Sequence, residues 1–188
     1  MSLYLASLSP RRTRLLREAG IRHRILKADY IETHPRGMAP AAVARKNAWG
    51  KAVAASKKIA NGRILAADTL VYSEGKIIGK PRNRRAAEKT LLSLQGRWHT
   101  VYTAVAVLDV EHGRAKKKVL FHERTKVRLK AMTLPEIRRY FRREDPMDKA
   151  GAYAIQSKKG TIVEKVRGSF TNAVGLPMEN LYARIKKP

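Results

Sequence analysis

The feature that most constrains this chain is a pair of long β-type runs lying close together in sequence. "WHTVYTAVAVLDV" and "KKKVLFHERTKVRLK" are rich in Val, Thr, Leu and aromatic residues, and the turn region "EHGRA" joins them. Such runs on either side of a glycine-containing turn predict a long antiparallel hairpin. A purely parallel doubly wound sheet is thereby disfavoured, because each of its connections needs a crossover of a dozen or more residues. Around the hairpin, helical and strand patterns alternate. Leu3-Tyr4-Leu5-Ala6 reads as a short strand. "SPRRTRLLREAG" follows as a helix with Ser9 at the N-cap, Pro10 in the first turn and Gly20 past the end. "RHRILKA" predicts a second short strand and "THPRGMAP" an irregular segment. "AAVARKNAWGKAVAASKKIANG" has apolar residues at threes and fours and Gly62 as a stop.

"RILAADTLVY" predicts a buried strand that turns through Ser73-Glu74-Gly75-Lys76 into "KIIGKP". Asn83 is placed to cap a helix running to Leu94, and Thr133 and Glu136 have capping-box spacing ahead of "LPEIRRYFRR". After "DPMDKAGAYAIQ" the pattern predicts a strand around "GTIVEKV", a loop "RGSFTNAVGLP" and a final helix "MENLYARI". Interleaved elements with a central hairpin predict an α/β fold with a mixed twisted sheet and flanking helices. No repeat or long linker divides the chain, so residues 1–188 are expected to form a single domain, with room for two small lobes around a cleft.

Charge limits the function. Lys and Arg total 41 against 15 Asp and Glu, a formal net charge of +26, which points to polyanionic substrates or partners. The basic residues are spread through "RHRILK", "RNRR", "RAKKK", "IRRYFRR" and "IKKP" rather than clustered. Non-specific nucleic-acid binding is therefore expected as an incidental property. The absence of cysteine excludes disulfides, thiolate metal sites and a thiol nucleophile, and the five histidines lack ligand spacing. No apolar run reaches the ~18 residues of a membrane span, and no basic-apolar leader is visible. The expectation is a soluble, cytoplasmic protein with no membrane partner.

Two places carry chemistry. In "LASLSPRR", Arg11 and Arg12 stand in the first turn of a helix, where the macrodipole disfavours cations by a few tenths of a kcal/mol up to ~1. The placement becomes favourable if they share that helix start with a bound polyanion. In "RILAADTLVY", Asp68 puts a charge into a buried strand, where it needs a partner or a cation. No other acid occurs between Glu32 and Asp68. Asp68 is either held by Lys80 or a backbone N–H as a structural group, or it is a carboxylate that holds Mg²⁺ against substrate phosphate. "GKPRN" supplies Lys80 without forming a P-loop.

Taken in order, "LASLSPRRTRLL", "ADTLV", "GKP", "DKAGAYAIQ" and "GSFTNAVGLP" resemble the motifs of the Maf family of nucleoside triphosphate pyrophosphatases over nearly the whole chain. The resemblance implies a two-lobed fold related to the inosine triphosphatases, often a homodimer. It implies Mg²⁺- or Mn²⁺-dependent cleavage of a nucleoside triphosphate to monophosphate and pyrophosphate. "ADT" and "AYAIQ" resemble the dTTP/UTP branch rather than the branch acting on 7-methyl-GTP. Ser7, Arg11 and Arg12 match the phosphate-binding motif, Glu32 the acid after the second strand, Lys51 the helix lysine, Asp68 the central carboxylate and Lys80 the lysine of "KP". Asp29, in "DYIETH", is the alternative to Glu32.

On this reading Glu32 and Asp68 are the metal-binding carboxylates, Glu32, Asp68 and Lys80 act in catalysis, and Arg11, Arg12 and Lys80 hold the leaving pyrophosphate. Which carboxylate is the base stays open. Gln156 can read a pyrimidine: its amide oxygen accepts from N3–H of uracil or thymine while its NH₂ donates to O4. That selectivity needs neighbours that pin the amide, and Thr69 and Lys149 are the candidates. Two rival readings remain, a basic nucleic-acid-binding module and a regulatory role in cell division on the same fold.

Overall fold

The computed structural model describes residues 1–156 and 161–185. Its strands are β1 (Leu3–Leu5), β2 (Arg24–Ile25), β3 (Gly62–Ser73), β4 (Lys76–Ile78), β5 (Trp98–Glu111), β6 (Arg114–Leu129) and β7 (Val163–Arg167). Its helices are α1 (Pro10–Glu18), α2 (Pro40–Ser56), α3 (Arg84–Leu94), α4 (Leu134–Phe141), α5 (Phe170–Val174) and α6 (Met178–Ile185). The strands form one sheet in the order β2-β1-β3-β5-β6-β7, with β4 added beside β3. β1 runs parallel to β2 and β3, and the remaining pairs are antiparallel. The fold is thus mixed α/β, with the predicted hairpin β5–β6 at its centre. His112 and Gly113 turn that hairpin with φ of 50° and 72°, the paired left-handed conformation that suits the strand twist.

β3 has core on both faces, so its sequence is apolar almost throughout. Ile64, Ala66 and Leu70 face α2, whose alanines at 44, 48, 52 and 55 let the helix lie close to the sheet. Leu65, Ala67 and Val71 face the other layer, built from α1, α3, α4, α5 and α6 around Leu16, Leu91, Ile137 and Leu181. Capping chemistry sets several boundaries. Asn83 accepts from Ala86 N at 2.8 Å at the start of α3, and Thr133 with Glu136 forms the capping box of α4.

Ser9 is the N-cap of α1, as predicted, although its side chain makes no capping bond. Three expectations need correction. The second strand is only Arg24–Ile25, since β2 is an edge strand that needs no more than a short ladder to β1. α2 ends at Ser56 rather than near Gly62; the chain then turns so that Arg63 N reaches Ser2 O at 2.9 Å and β3 can lie along β1. The expected loop around "GSFTNAV" contains α5, with Ser169 accepting from Asn172 N as its cap. The predicted strand around "GTIVEKV" is β7; Gly160, at its expected start, and the basic end at 186–188 lie outside the described residues. No helix among the described residues is long and apolar enough to cross a membrane.

Candidate active site

β3 is paired with β5 along its whole length on one edge, from Gly62 to Tyr72. On the other edge it has β1 only as far as Leu65, and β4 only from Val71 onward. Between those two neighbours the edge is open at Ala66–Leu70, and a cleft of about 440 Å³ lies against it. Asp68 and Thr69 stand in the middle of the opening. Because successive side chains on a strand point to opposite faces, Asp68 turns toward α2 and Thr69 toward α1 and α5.

On the α2 side, Lys51 and Asn47 lie one helical turn apart on the buried stripe, and both reach Asp68. Lys51 Nζ donates to Asp68 Oδ1 at 2.8 Å and to Ala67 O at 3.2 Å, while Asn47 Nδ2 donates to Asp68 Oδ2 at 3.2 Å. Asp68 is 3% exposed, so an unpaired charge there would cost several kcal/mol. Lys51 supplies the counter-charge. The same ammonium also holds Glu32 Oε1 at 2.5 Å. Burial pushes the Glu32 carboxyl up, but Lys51, Lys80 and Arg12 together outweigh it and hold the group below the ordinary glutamate range.

Asn47 also ties down the segment that carries Glu32. Its Oδ1 accepts from Thr33 N at 3.0 Å and its Nδ2 donates to Thr33 O at 3.1 Å. Tyr30 packs its ring onto Gly50, where a Cβ would stand 2.1 Å from the ring, so only glycine permits this contact.

On the other side, Arg12 is held at three points. Its Nε donates to Gly175 O at 2.8 Å, Nη1 to Ser7 Oγ at 2.8 Å and Nη2 to Thr69 Oγ1 at 3.0 Å. Gly175 has φ of 125°, a conformation that favours glycine and presents its carbonyl to Arg12. One N–H on each terminal nitrogen of Arg12 remains for a ligand. Burial lowers the Arg12 guanidinium from its ordinary value, against the opposing pull of Asp68 and Glu32.

Arg11 lies at the rim, where Nη1 donates to Asp148 Oδ2 at 2.7 Å and Nη2 to Asp148 O at 3.1 Å. Lys149 Nζ holds the other Asp148 oxygen at 2.6 Å. Burial raises the Asp148 carboxyl, but its bonds from Lys149 and Arg11 lower it further, so the net direction is down. Lys80 is exposed and lines the cleft from the end of β4.

The structure therefore brings Ser7, Arg11, Arg12, Glu32, Lys51, Asp68, Thr69, Lys80 and Lys149 to one cleft. It does not bring Asp29 or Gln156 there. Asp29 is 72% exposed and pairs with Lys58 at 2.8 Å. Gln156 faces a separate shallow depression and takes a hydrogen bond from Arg14 Nη2 onto its amide oxygen. Asn47, Asp148 and Tyr153 are site residues that sequence reasoning missed. For Asn47 a signal existed, its four-residue spacing from Lys51. Tyr153 lines the cleft and its hydroxyl meets His99 Nε2 at 2.7 Å; burial drops His99 to about 4 and raises Tyr153.

Among the described residues no three His, Asp or Glu side chains gather where they could hold a metal by themselves. The donor set does fit a magnesium-type ion. Such ions keep several waters and need only one or two carboxylates when substrate phosphates complete the shell. Glu32 and Asp68 are close enough to share one ammonium at the cleft wall, and so close enough to share a cation.

The sequence profile of the family described as "Maf-like protein" matches residues 2–188. The dTTP/UTP pyrophosphatase of Pelotomaculum thermopropionicum is 42% identical over 185 residues, covering 98% of this chain and 95% of that protein. The dTTP/UTP pyrophosphatase of Geobacter sp. (strain M21) is 45% identical over 178 residues, covering 94% and 90%. Among solved structures, the Ham1 protein of Staphylococcus aureus matches 69% of this chain and 72% of its own at 15% identity, with a TM-score of 0.49.

Proposed function

Since the chain belongs to the Maf-like protein family, we propose that it hydrolyses dTTP and UTP to the monophosphate and pyrophosphate. The observation that supports this reading is the Lys51-bridged pair Glu32 and Asp68 at the open edge of β3, in the same cleft as Arg11, Arg12 and Lys80. Carboxylates and cations lining one cleft suit a metal-bound substrate that carries its own dense negative charge.

In the proposed reaction the oxygen of a water attacks the α-phosphorus, the bond from that phosphorus to the bridging oxygen breaks, and pyrophosphate leaves. The free N–H groups of Arg12, with Arg11 and Lys80, neutralise the charge that builds on the leaving group. Lys51 counters the charge of both carboxylates and holds them at the cleft wall. The proton lost by the water goes to this carboxylate pair. A divalent cation, Mg²⁺ or Mn²⁺, held by Glu32 and Asp68 would supply neutralisation at the reacting phosphate. Asn47 positions both Asp68 and the Glu32 segment, so it acts through them rather than on the substrate.

The test is pyrophosphate release from each common ribo- and deoxyribonucleoside triphosphate, with Mg²⁺ or Mn²⁺ and with EDTA. The expected result is pyrophosphate from dTTP and UTP that EDTA abolishes. Orthophosphate as the first product, or full activity in EDTA, overturns the proposal.

A further inference from the structure

α2 covers only part of its face of the sheet. Its alanines pack against Ile64, Ala66, Ala104, Ala106, Leu108 and Leu120. Toward the far end of the same face the ladder lines up other residues, since residues directly opposite across a ladder share a face. One cross-strand row is Tyr72, Thr100, Lys126 and Arg167. The next is Leu70, Tyr102 and Arg124, and a third is Trp98, Arg128 and Lys165. Arg124, Lys126, Lys165 and Arg167 are exposed, and the three aromatic rings are half-buried. Tyr72 and Tyr102 meet edge to face at 6.4 Å, and the Arg167 guanidinium lies over Trp98 at 4.8 Å.

None of these rows contains an acid. Glu164 is engaged by Arg128 at 3.0 Å, and no ion pair among the described residues uses Arg124, Lys126, Lys165 or Arg167. A second copy of this chain is a poor occupant, because it carries the same +26 and would set basic rows against a basic protein. The complement is a flexible polyanion with flat apolar groups. Basic side chains tracking a backbone beside aromatic rings at stacking positions are the physical requirements for binding single-stranded nucleic acid.

We propose that the uncovered end of the sheet face, with Tyr72, Trp98 and Tyr102 flanked by Arg124, Lys126 and Arg167, is a platform for single-stranded RNA or DNA, separate from the cleft. This goes beyond diffuse attraction by net charge, because it assigns the binding to one face and gives the rings a part in it.

The experiment compares two triple variants of the full chain, equal in charge removed. Arg124→Ala/Lys126→Ala/Arg167→Ala strips the platform; Arg139→Ala/Arg142→Ala/Arg143→Ala strips exposed positions of and just after α4, which packs on the other face. Binding of a fluorescent 20-nucleotide oligo(U) is measured by anisotropy across a salt series, with thermal melting as the folding control. The platform variant is expected to bind at least tenfold more weakly and to lose about two units from the log–log salt slope, at ~0.7 per phosphate contact. The α4 variant should stay within about twofold of wild type. Tyr102→Leu, which leaves the charge unchanged, should weaken binding about fivefold or more while keeping the slope. Equal losses in the two triple variants, or a Tyr102→Leu protein that binds normally, overturn the proposal. So does platform-dependent binding to phosphatidylserine vesicles that exceeds binding to the oligonucleotide. Triphosphate hydrolysis is assayed alongside and should be unchanged in all three proteins, which keeps this result independent of the function proposed for the cleft.

Discussion

Lys51 Nζ lies 2.8 Å from Asp68 Oδ1 with both side chains buried, and α2 delivers the ammonium to a strand that has no other cation within hydrogen-bonding reach of that carboxylate among the described residues. The two partners are not equivalent. Lys51 serves two carboxylates, whereas Asp68 is left with Asn47 if Lys51 is removed.

Lys51→Met should therefore destabilise the protein strongly, by about 3–5 kcal/mol, because buried Asp68 loses its ion-pair partner and Glu32 loses the nearest of the cations around it. The double variant Lys51→Met/Asp68→Asn should recover part of that loss. Urea unfolding of the three proteins checks this, and a double variant no more stable than Lys51→Met would remove the pair from the account of stability.

Asp68→Asn keeps size and one acceptor oxygen, and leaves Lys51 with Glu32. Melting should stay near that of wild type while pyrophosphate release falls by several orders of magnitude. Nucleotide binding without metal should hold or tighten, since one negative charge facing the phosphates has gone. Near-normal turnover by a folded Asp68→Asn protein would shift the chemistry to Glu32.

Arg12→Lys retains the charge but cannot span Gly175 O, Ser7 Oγ and Thr69 Oγ1 at once. The expected outcome is a rise in KM of about tenfold or more, as charged hydrogen bonds to the phosphates are lost. Steady-state kinetics on dTTP decides it, and an unchanged KM would mean that Arg12 serves only to join α1 to the Gly175 turn.

His99 gives the fold an acid-sensitive element. The unfolded chain takes up a proton near 6.5, whereas the folded protein resists it down to about 4 because the ring is buried. Stability from this residue is complete above about pH 6.5 and is lost as pH falls toward about 4, by up to about 3 kcal/mol. Below that it levels off. Denaturant melts from pH 7.5 to 4 on wild type and His99→Phe should show a steeper decline in wild type over that window; parallel curves would contradict it.

Local chemistry made much of this molecule legible in its sequence. The Asn83 cap, the Thr133–Glu136 box and the β5–β6 hairpin each depend on residues near one another in the chain, so pattern alone located them. The Arg11–Asp148 contact joins residues 137 apart, and no local signal encodes it. Asn47 was hidden differently, as one polar residue in an alanine-rich helix that reads as core. Gln156 shows the limit of a matched motif: "AYAIQ" supplied its chemistry, but the turn at Gly151 and Ala152, both with positive φ, settles which way the following residues face.

The break in pairing along β3 has an evolutionary corollary. Of the groups proposed for chemistry, Asp68 sits on β3 and Lys51 on α2, whereas Glu32 and much of the remaining cleft wall come from connecting segments, residues 27–32, 148–149 and 153–155 among them. Connecting segments tolerate substitution and insertion far better than packed strands. A lineage built on this scaffold can therefore remodel much of the cleft border while Asp68 and Lys51 stay fixed by the strand and the helix that carry them.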